Sequence, residues 1–182
     1  MTITQSASRW KTRRQIRESV PPPAPGPFGK PVAKGTSHGH GDSAKLSRMD
    51  IAQLQAALAI YFAPWVQALG LIVEQADGQG VRVRLPLQPP LAREGGMVCG
   101  QAMMAAADTC MVLALMQHWG AFKPCTTVQM STSFLKPLAG QDGVIESRLI
   151  RVGKSLAFGE IDIRGANDGR SVCRATTTYA LL

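Results

Sequence analysis

Histidine is scarce in this chain, and cysteines at a metal-binding or redox spacing are absent. Three histidines occur in 182 residues, and two of them, His38 and His40, fall in a Gly-rich stretch near the start. The third, His118, lies far along an apolar run, so a histidine-based acid or base has no evident partner. The four cysteines, Cys99, Cys110, Cys125 and Cys173, include no C-x-x-C pair, and none stands at zinc-finger spacing from a histidine. No metal site is expected. Cys110 and Cys173 lie in apolar or strand-like runs, where free thiols are commonly buried. A reduced, cytoplasmic setting is therefore expected. No apolar run reaches the roughly 20 residues of a membrane-spanning helix. The basic start leads into Pro21-Pro22-Pro23-Ala24-Pro25-Gly26-Pro27, not an apolar h-region, which argues against a secretory signal and against reading Arg13-Arg14 as a twin-arginine one. An organelle transit peptide stays open for a eukaryotic source. No internal repeat is visible.

Charge imbalance is also scarce once the first 45 residues are set aside. The net charge is +8, but residues 1–45 hold eight Lys/Arg against Glu18 and Asp42, while the rest holds 12 against 10 acids. The basicity belongs to the tail and makes no case for a nucleic-acid-binding core. Pro, Gly, Ser and Lys/Arg dominate residues 1–45, which are predicted to be disordered. His38-Gly39-His40 as an adventitious metal pair, and Trp10 as a contact to a partner or anionic surface, are the functional alternatives to a solvated linker. Residues 46–182 are expected to form the folded domain.

What that domain does contain is one conspicuous acid. From Gly100 to Met116 the chain is the most apolar helix-like stretch of the sequence, and Asp108 is its only charge. An ionised carboxylate in apolar surroundings is costly unless paired or solvated. It therefore marks either a site or a wet helix edge. Because the helix, about Gly100 to Trp119, is apolar nearly all round, it should be enclosed by protein. Ahead of it, Ser47-Arg48-Met49-Asp50 has the form of a capping box that starts a helix near Ser47. Ile51, Leu54, Leu58 and Tyr61/Phe62 then recur at helical spacing up to Pro64. Leu71–Glu74 reads as a strand ending at Asp77-Gly78, and Val81, Val83, Leu85 and Leu87 alternate with polar residues as a half-buried strand. After the central helix come four strand candidates at about 126–135, 143–152, 155–165 and 171–181, with connections short enough for an antiparallel meander. One long helix wrapped by an antiparallel sheet accounts for this order, an α+β class with the hot-dog arrangement.

Several motifs fall in an order that resembles the PaaI-type acyl-CoA thioesterases of the hot-dog superfamily. Val98-Cys99-Gly100-Gln101 stands where that family shows H-G-G, and Ala107-Asp108-Thr109 matches its A-D-T at the right distance. The run Thr126 to Pro137, ending Leu135-Lys136-Pro137, looks like its L-[RK]-P strand. Arg151-Val152-Gly153-Lys154-Ser155 looks like its G-[RK]-S turn, and Asp168-Gly169-Arg170 with Ala175 to Tyr179 resembles its closing hairpin. The resemblance implies hydrolysis of acyl-CoA thioesters to free acid and CoA. In it the Gly100 backbone N–H acts as oxyanion donor at a helix N-terminus. Asp108 acts as nucleophile or general base, and Thr127 positions the attacking water or is an ordinary strand residue.

Gly100 and Asp108 are eight residues apart on one helix, roughly 12 Å, too far to meet one carbonyl. A second subunit with its helix antiparallel would bring them together, so a homodimer, or a homotetramer built from two dimers, is implied. Cofactors are not required, since CoA is part of the substrate. Substrate contacts are expected from Cys99, Gln101, Arg93, Arg151, Gly153, Lys154 and Ser155, with Arg148 beside them; basic and hydroxyl groups there suit CoA phosphates, against the alternative of a solvated sheet edge. Cys99 replaces the family's histidine, Gln101 its second glycine, and Arg93 a usual polar residue. Those departures keep open a non-catalytic acyl-CoA or acyl-chain binding protein. A hot-dog dehydratase or hydratase lacks the histidine it would need.

Overall fold

The computed structural model describes residues 48–182. The expectations for the tail, including disorder of residues 1–45, the His38/His40 pair and Trp10, lie outside the described residues. The first helix, α1 (Ile51–Tyr61), starts at Asp50. The Asp50 carboxylate accepts from the Gln53 N–H at 2.8 Å, and the Gln53 side chain accepts from the Asp50 N–H at 2.9 Å. The capping box is therefore Asp50-x-x-Gln53, three residues later than the pattern at Ser47 suggests. Asp50 directly abuts the first apolar residue of the helix and has its own glutamine three positions on. Helix α1 buries Leu54, Ala57 and Leu58. Pro64 opens the short α2 (Pro64–Gln67), where its missing N–H is harmless.

Strands β1 (Ile72–Ala76) and β2 (Gly80–Leu85) form a hairpin. Asp77 shapes its turn by accepting from the N–H groups of Gln79 and Gly80 at 2.9 and 3.0 Å, and Gly78 takes φ +91°. Val81, Val83 and Leu85 point inward; Arg82 and Arg84 point outward and pair with Glu74, Glu146 and Asp142. The expected loop at 91–98 contains a small hairpin, β3 (Ala92–Arg93) with β4 (Met97–Val98). Helix α3 (Gly100–Trp119) follows at once and ends on Gly120 at φ +72°. Then come β5 (Cys125–Phe134), β6 (Gly143–Val152), β7 (Leu156–Gly165) and β8 (Ser171–Leu181).

The main sheet is antiparallel with order β1-β2-β6-β7-β8-β5. The expected meander holds for β6, β7 and β8 and fails for β5. Helix α3 crosses the inner face of the sheet, so the strand leaving it arrives at the far edge and pairs with β8, while β2 occupies the free edge of β6. The segment 135–142 carries the chain back, anchored by the fully buried Leu138, whose carbonyl accepts from the Val98 N–H at 2.9 Å.

The sheet wraps α3, and Met111, Leu113, Ala114, Leu115 and Met116 are wholly buried. Closest approach is at Gly159, where an added Cβ would lie 2.1 Å from Met111 Cε. Enclosure is incomplete, however. Gln101, Met104, Ala105, Asp108 and Val112 are not buried, and their spacing places them on one helix face. An all-round apolar helix was expected to be covered everywhere; within one chain this stripe is not. The edge strand β5 is exposed beside it along most of its length. The architecture is the α+β hot-dog fold, one long helix in a curled antiparallel sheet. Among the described residues, no helix is long and apolar enough to cross a membrane.

Candidate active site

The centre of the site is Asp108, halfway along α3 on the uncovered stripe. The inner faces of two strands supply its partners. Thr127 of β5 and Tyr179 of β8 are directly opposite each other in the ladder, so both side chains project to the same side of the sheet. The Thr127 hydroxyl donates to Asp108 Oδ1 at 2.9 Å. The Tyr179 hydroxyl donates to the same Oδ1 and also lies 3.0 Å from the backbone oxygen of Asp108. Among the described residues, Oδ2 receives no hydrogen bond and stands on the uncovered side. Tyr179 is 1% exposed. Burial first, then the Asp108 charge, pushes its phenol far above the ordinary tyrosine value, so it remains a donor. The thiol of Cys125 is raised for the same two reasons, burial and then Asp108.

Gly100 lies at the other end of the same helix face. It is the first residue of α3, with Cys99 as N-cap. The Cys99 side chain makes no capping bond; its backbone N–H donates to the Leu91 carbonyl at 2.9 Å and its carbonyl accepts from Met103. Phe134, at the end of β5, covers Gly100 so closely that an added Cβ would lie 3.1 Å from its ring carbon Cζ. Around them is a recess of about 280 Å³ lined by Arg93, Met97, Gly100, Met103, Phe134 and Lys136 among others. Two cations thus face the mouth at the helix N-terminus. Gln101 is exposed on the same first turn.

The turn bearing Arg151, Gly153, Lys154 and Ser155 is exposed. It lies at the Asp108 end of the sheet, because Ala157 pairs with Tyr179 and the Ser155 carbonyl accepts from the Leu181 N–H at 2.9 Å. Arg148 is engaged with Glu160 in an outward ion pair and leaves that group. A larger depression, about 870 Å³, occupies the outer face of the sheet. Its arginines 82, 148, 164 and 174 are all matched by Glu74, Glu146, Glu160 or Asp162, which leaves no free charge to recognise an ion.

One chain therefore joins Asp108 to Thr127, and Gly100 to Arg93, but does not join Gly100 to Asp108. Sequence reading missed Tyr179 as a site residue, and Phe134 and Lys136 at the Gly100 recess. The signal for Tyr179 was present: it shares strand parity with Ala175 and Thr177, which face inward.

A long helix held in a curled antiparallel sheet defines the hot-dog class of fold. Residues 95–172 match the family model described as the thioesterase superfamily. Among curated proteins, "Putative esterase TV1331" of Thermoplasma volcanium is 31% identical over 98 residues, covering 54% of this chain and 71% of that protein. "Putative esterase Ta0293" of Thermoplasma acidophilum is 27% identical over 100 residues, covering 54% and 74%. Among solved structures, a thioesterase described as putative from Silicibacter sp. TM1040 is 28% identical with a TM-score of 0.67, covering 73% of this chain and 92% of that one. Zebrafish thioesterase superfamily member 2 shares the fold at 19% identity, with a TM-score of 0.66 and coverage of 74% and 99%. The chain belongs to the thioesterase superfamily.

Proposed function

We propose that this protein is a PaaI-like acyl-CoA thioesterase whose sites form between two copies of the chain. One observation carries the reading: Asp108 is fixed through Oδ1 by Thr127 and Tyr179, with Oδ2 free on a helix face that the chain leaves uncovered. A second copy laid antiparallel on that face brings its Gly100 toward Asp108. The rise of roughly 12 Å between these positions makes such a partner necessary for both to act on one carbonyl. Arg93 and Lys136 at the Gly100 recess, and Lys154 and Arg151 at the other end, supply cations for the phosphates of CoA.

In the general-base route, Oδ2 of Asp108 takes a proton from water as the oxygen bonds to the thioester carbonyl carbon. Thr127 retains lone pairs that accept from the same water. Negative charge on the carbonyl oxygen is met by the Gly100 N–H and the positive end of α3. Collapse breaks the C–S bond, and the departing CoA thiolate takes up a proton, leaving the free acid. In the nucleophilic route Oδ2 bonds the carbonyl carbon itself, the C–S bond breaks and CoA leaves as a thiolate that takes up a proton, and water then cleaves the acyl-aspartyl anhydride to the free acid and the Asp108 carboxylate.

Cys99 in the family's histidine position and Gln101 in place of the second glycine favour a second reading, an acyl-CoA binding protein without turnover. Thiol release from short, medium, long and aromatic acyl-CoAs separates the two. Hydrolysis of at least one class supports the thioesterase. Saturable binding by a folded dimer, without hydrolysis of any ester, supports the binding protein and refutes the enzyme.

A further inference from the structure

We infer that Tyr179 is a positioning residue for the acid, holding the Asp108 carboxylate so that Oδ2 alone faces the reacting carbonyl; this rests on the thioesterase reading above.

Position 179 is an inner-face site of β8, sealed at 1% exposure between Ala157 of β7 and Thr127 of β5. A phenylalanine would fill the same space, and a buried hydroxyl is costly unless it is bonded. Among the described residues its hydroxyl bonds to two acceptors, Oδ1 and the backbone oxygen, and both belong to Asp108. Its donor proton therefore serves Asp108, while the Thr127 hydroxyl, bonded to the same Oδ1, also lies within its reach.

A carboxylate with two equivalent oxygens can rotate and exchange them. Here Thr127 and Tyr179 both donate to Oδ1 from adjacent strands, and hydrogen bonds to a charged acceptor are the stronger kind. Exchange would have to break both. The carboxylate plane is thus fixed, and the proton-accepting or attacking atom is Oδ2 in either route. Thr127 is solvent-exposed and can trade its bond for one to water. Tyr179 is enclosed and cannot, and its raised ionisation keeps the donor proton in place across the working pH range. It is the more constant of the two anchors.

Two measurements test this. On an active enzyme, Tyr179→Phe should lower kcat by about 10- to 100-fold, the scale of a misplaced reacting group, while KM shifts by no more than about threefold. In an Asp108→Asn background the same change should cost nothing further. Wild-type kcat in Tyr179→Phe, or a full additional loss in the double variant, would overturn the role. The second measurement does not need turnover. The chain has two tyrosines, so Tyr61→Phe leaves Tyr179 as the sole phenol in an ultraviolet resonance Raman spectrum at neutral pH, where the tyrosine ring-mode doublet reports how strongly the hydroxyl donates. With Asp108 replaced by Asn in that background, the doublet should shift toward a weaker donor. An unchanged spectrum overturns the hold even if the enzyme is active. Coupling in a protein that hydrolyses no thioester upholds the hold and refutes only the thioesterase reading.

Discussion

Asp108→Asn should separate chemistry from stability. An asparagine places its carbonyl oxygen where Oδ1 stands, still accepting from Thr127 at 2.9 Å and from Tyr179. Its NH₂ group replaces Oδ2 on the uncovered face, where water can meet it. Each bond changes from charge-assisted to neutral, a loss of about 1 kcal/mol apiece. Against this, a half-buried carboxylate no longer has to be partly dehydrated, which returns about 1–3 kcal/mol. The net change should fall within about 1 kcal/mol, or a shift in Tm of about 4 °C. The catalytic loss is of another order. An amide can neither take a proton from water nor attack a thioester, and a positioned base supplies about 10²- to 10⁴-fold, equivalent to roughly 3–5 kcal/mol of barrier. Thermal melts and thiol release on the same preparations check both halves. A variant that keeps wild-type kcat would refute Asp108 as the reacting acid. One that loses more than about 3 kcal/mol of stability would show that the acid serves the fold, the scale of a broken buried charge network.

Three further outcomes follow from local geometry. Gly100→Ala puts a Cβ 3.1 Å from Phe134 Cζ; Phe134 is half exposed and can swing aside, so the melt should barely move while kcat/KM falls by about tenfold or more, and an unchanged kcat/KM would remove Gly100 from the site. Gly80→Ala instead places a Cβ 2.0 Å from the Ser147 backbone oxygen, which no rotamer can relieve, so urea unfolding should show a loss of about 3 kcal/mol at the β2–β6 ladder; equal stability would contradict the strand register. Alkaline pH should destabilise the domain. Burial raises the Cys110 thiol strongly, and burial with the Asp162 charge pushes Cys173 up to about 11, so the unfolded chain loses these protons first. Stability is full below about pH 8.5 and should then fall with rising pH, by about 1.4 kcal/mol per pH unit for each group while its window lasts. Tyr179 joins them above about pH 10; urea midpoints that stay flat from about pH 8 to about pH 10 would count against burial of both thiols.

Local pattern carried much of this molecule. The apolar period marks α3 from Gly100 to Trp119 to the residue, and alternation with turn dipeptides places β5 to β8 within a residue or two of their observed bounds. Both are nearest-neighbour properties of the chain. The capping box was misplaced because Ser47 and Asp50 satisfy the same short pattern, and the choice depends on where the first turn closes. The position of β5 was misjudged for a different reason: short connections favour neighbours, but α3 delivers this strand to the opposite edge of the sheet. A helix face left for a second subunit was expected, but its residues, Gln101, Met104, Ala105, Asp108 and Val112, were not legible, because small and apolar side chains read alike whether they meet a sheet or lie bare.

Tyr179 shows where the boundary lies. Its inward face follows from counting along β8, so a reader of the sequence knows that its hydroxyl must find a partner inside. Which partner does not follow from counting. Asp108 is 71 positions away, and Thr127 reaches the same oxygen only because β5 lies beside β8 and not beside β6. The one strand placement that local reasoning got wrong is thus the one that assembles the acid's two donors. In this chain the fold's least local step and the site's geometry are the same event, so a displacement of β5 should silence Asp108 even with every site residue intact.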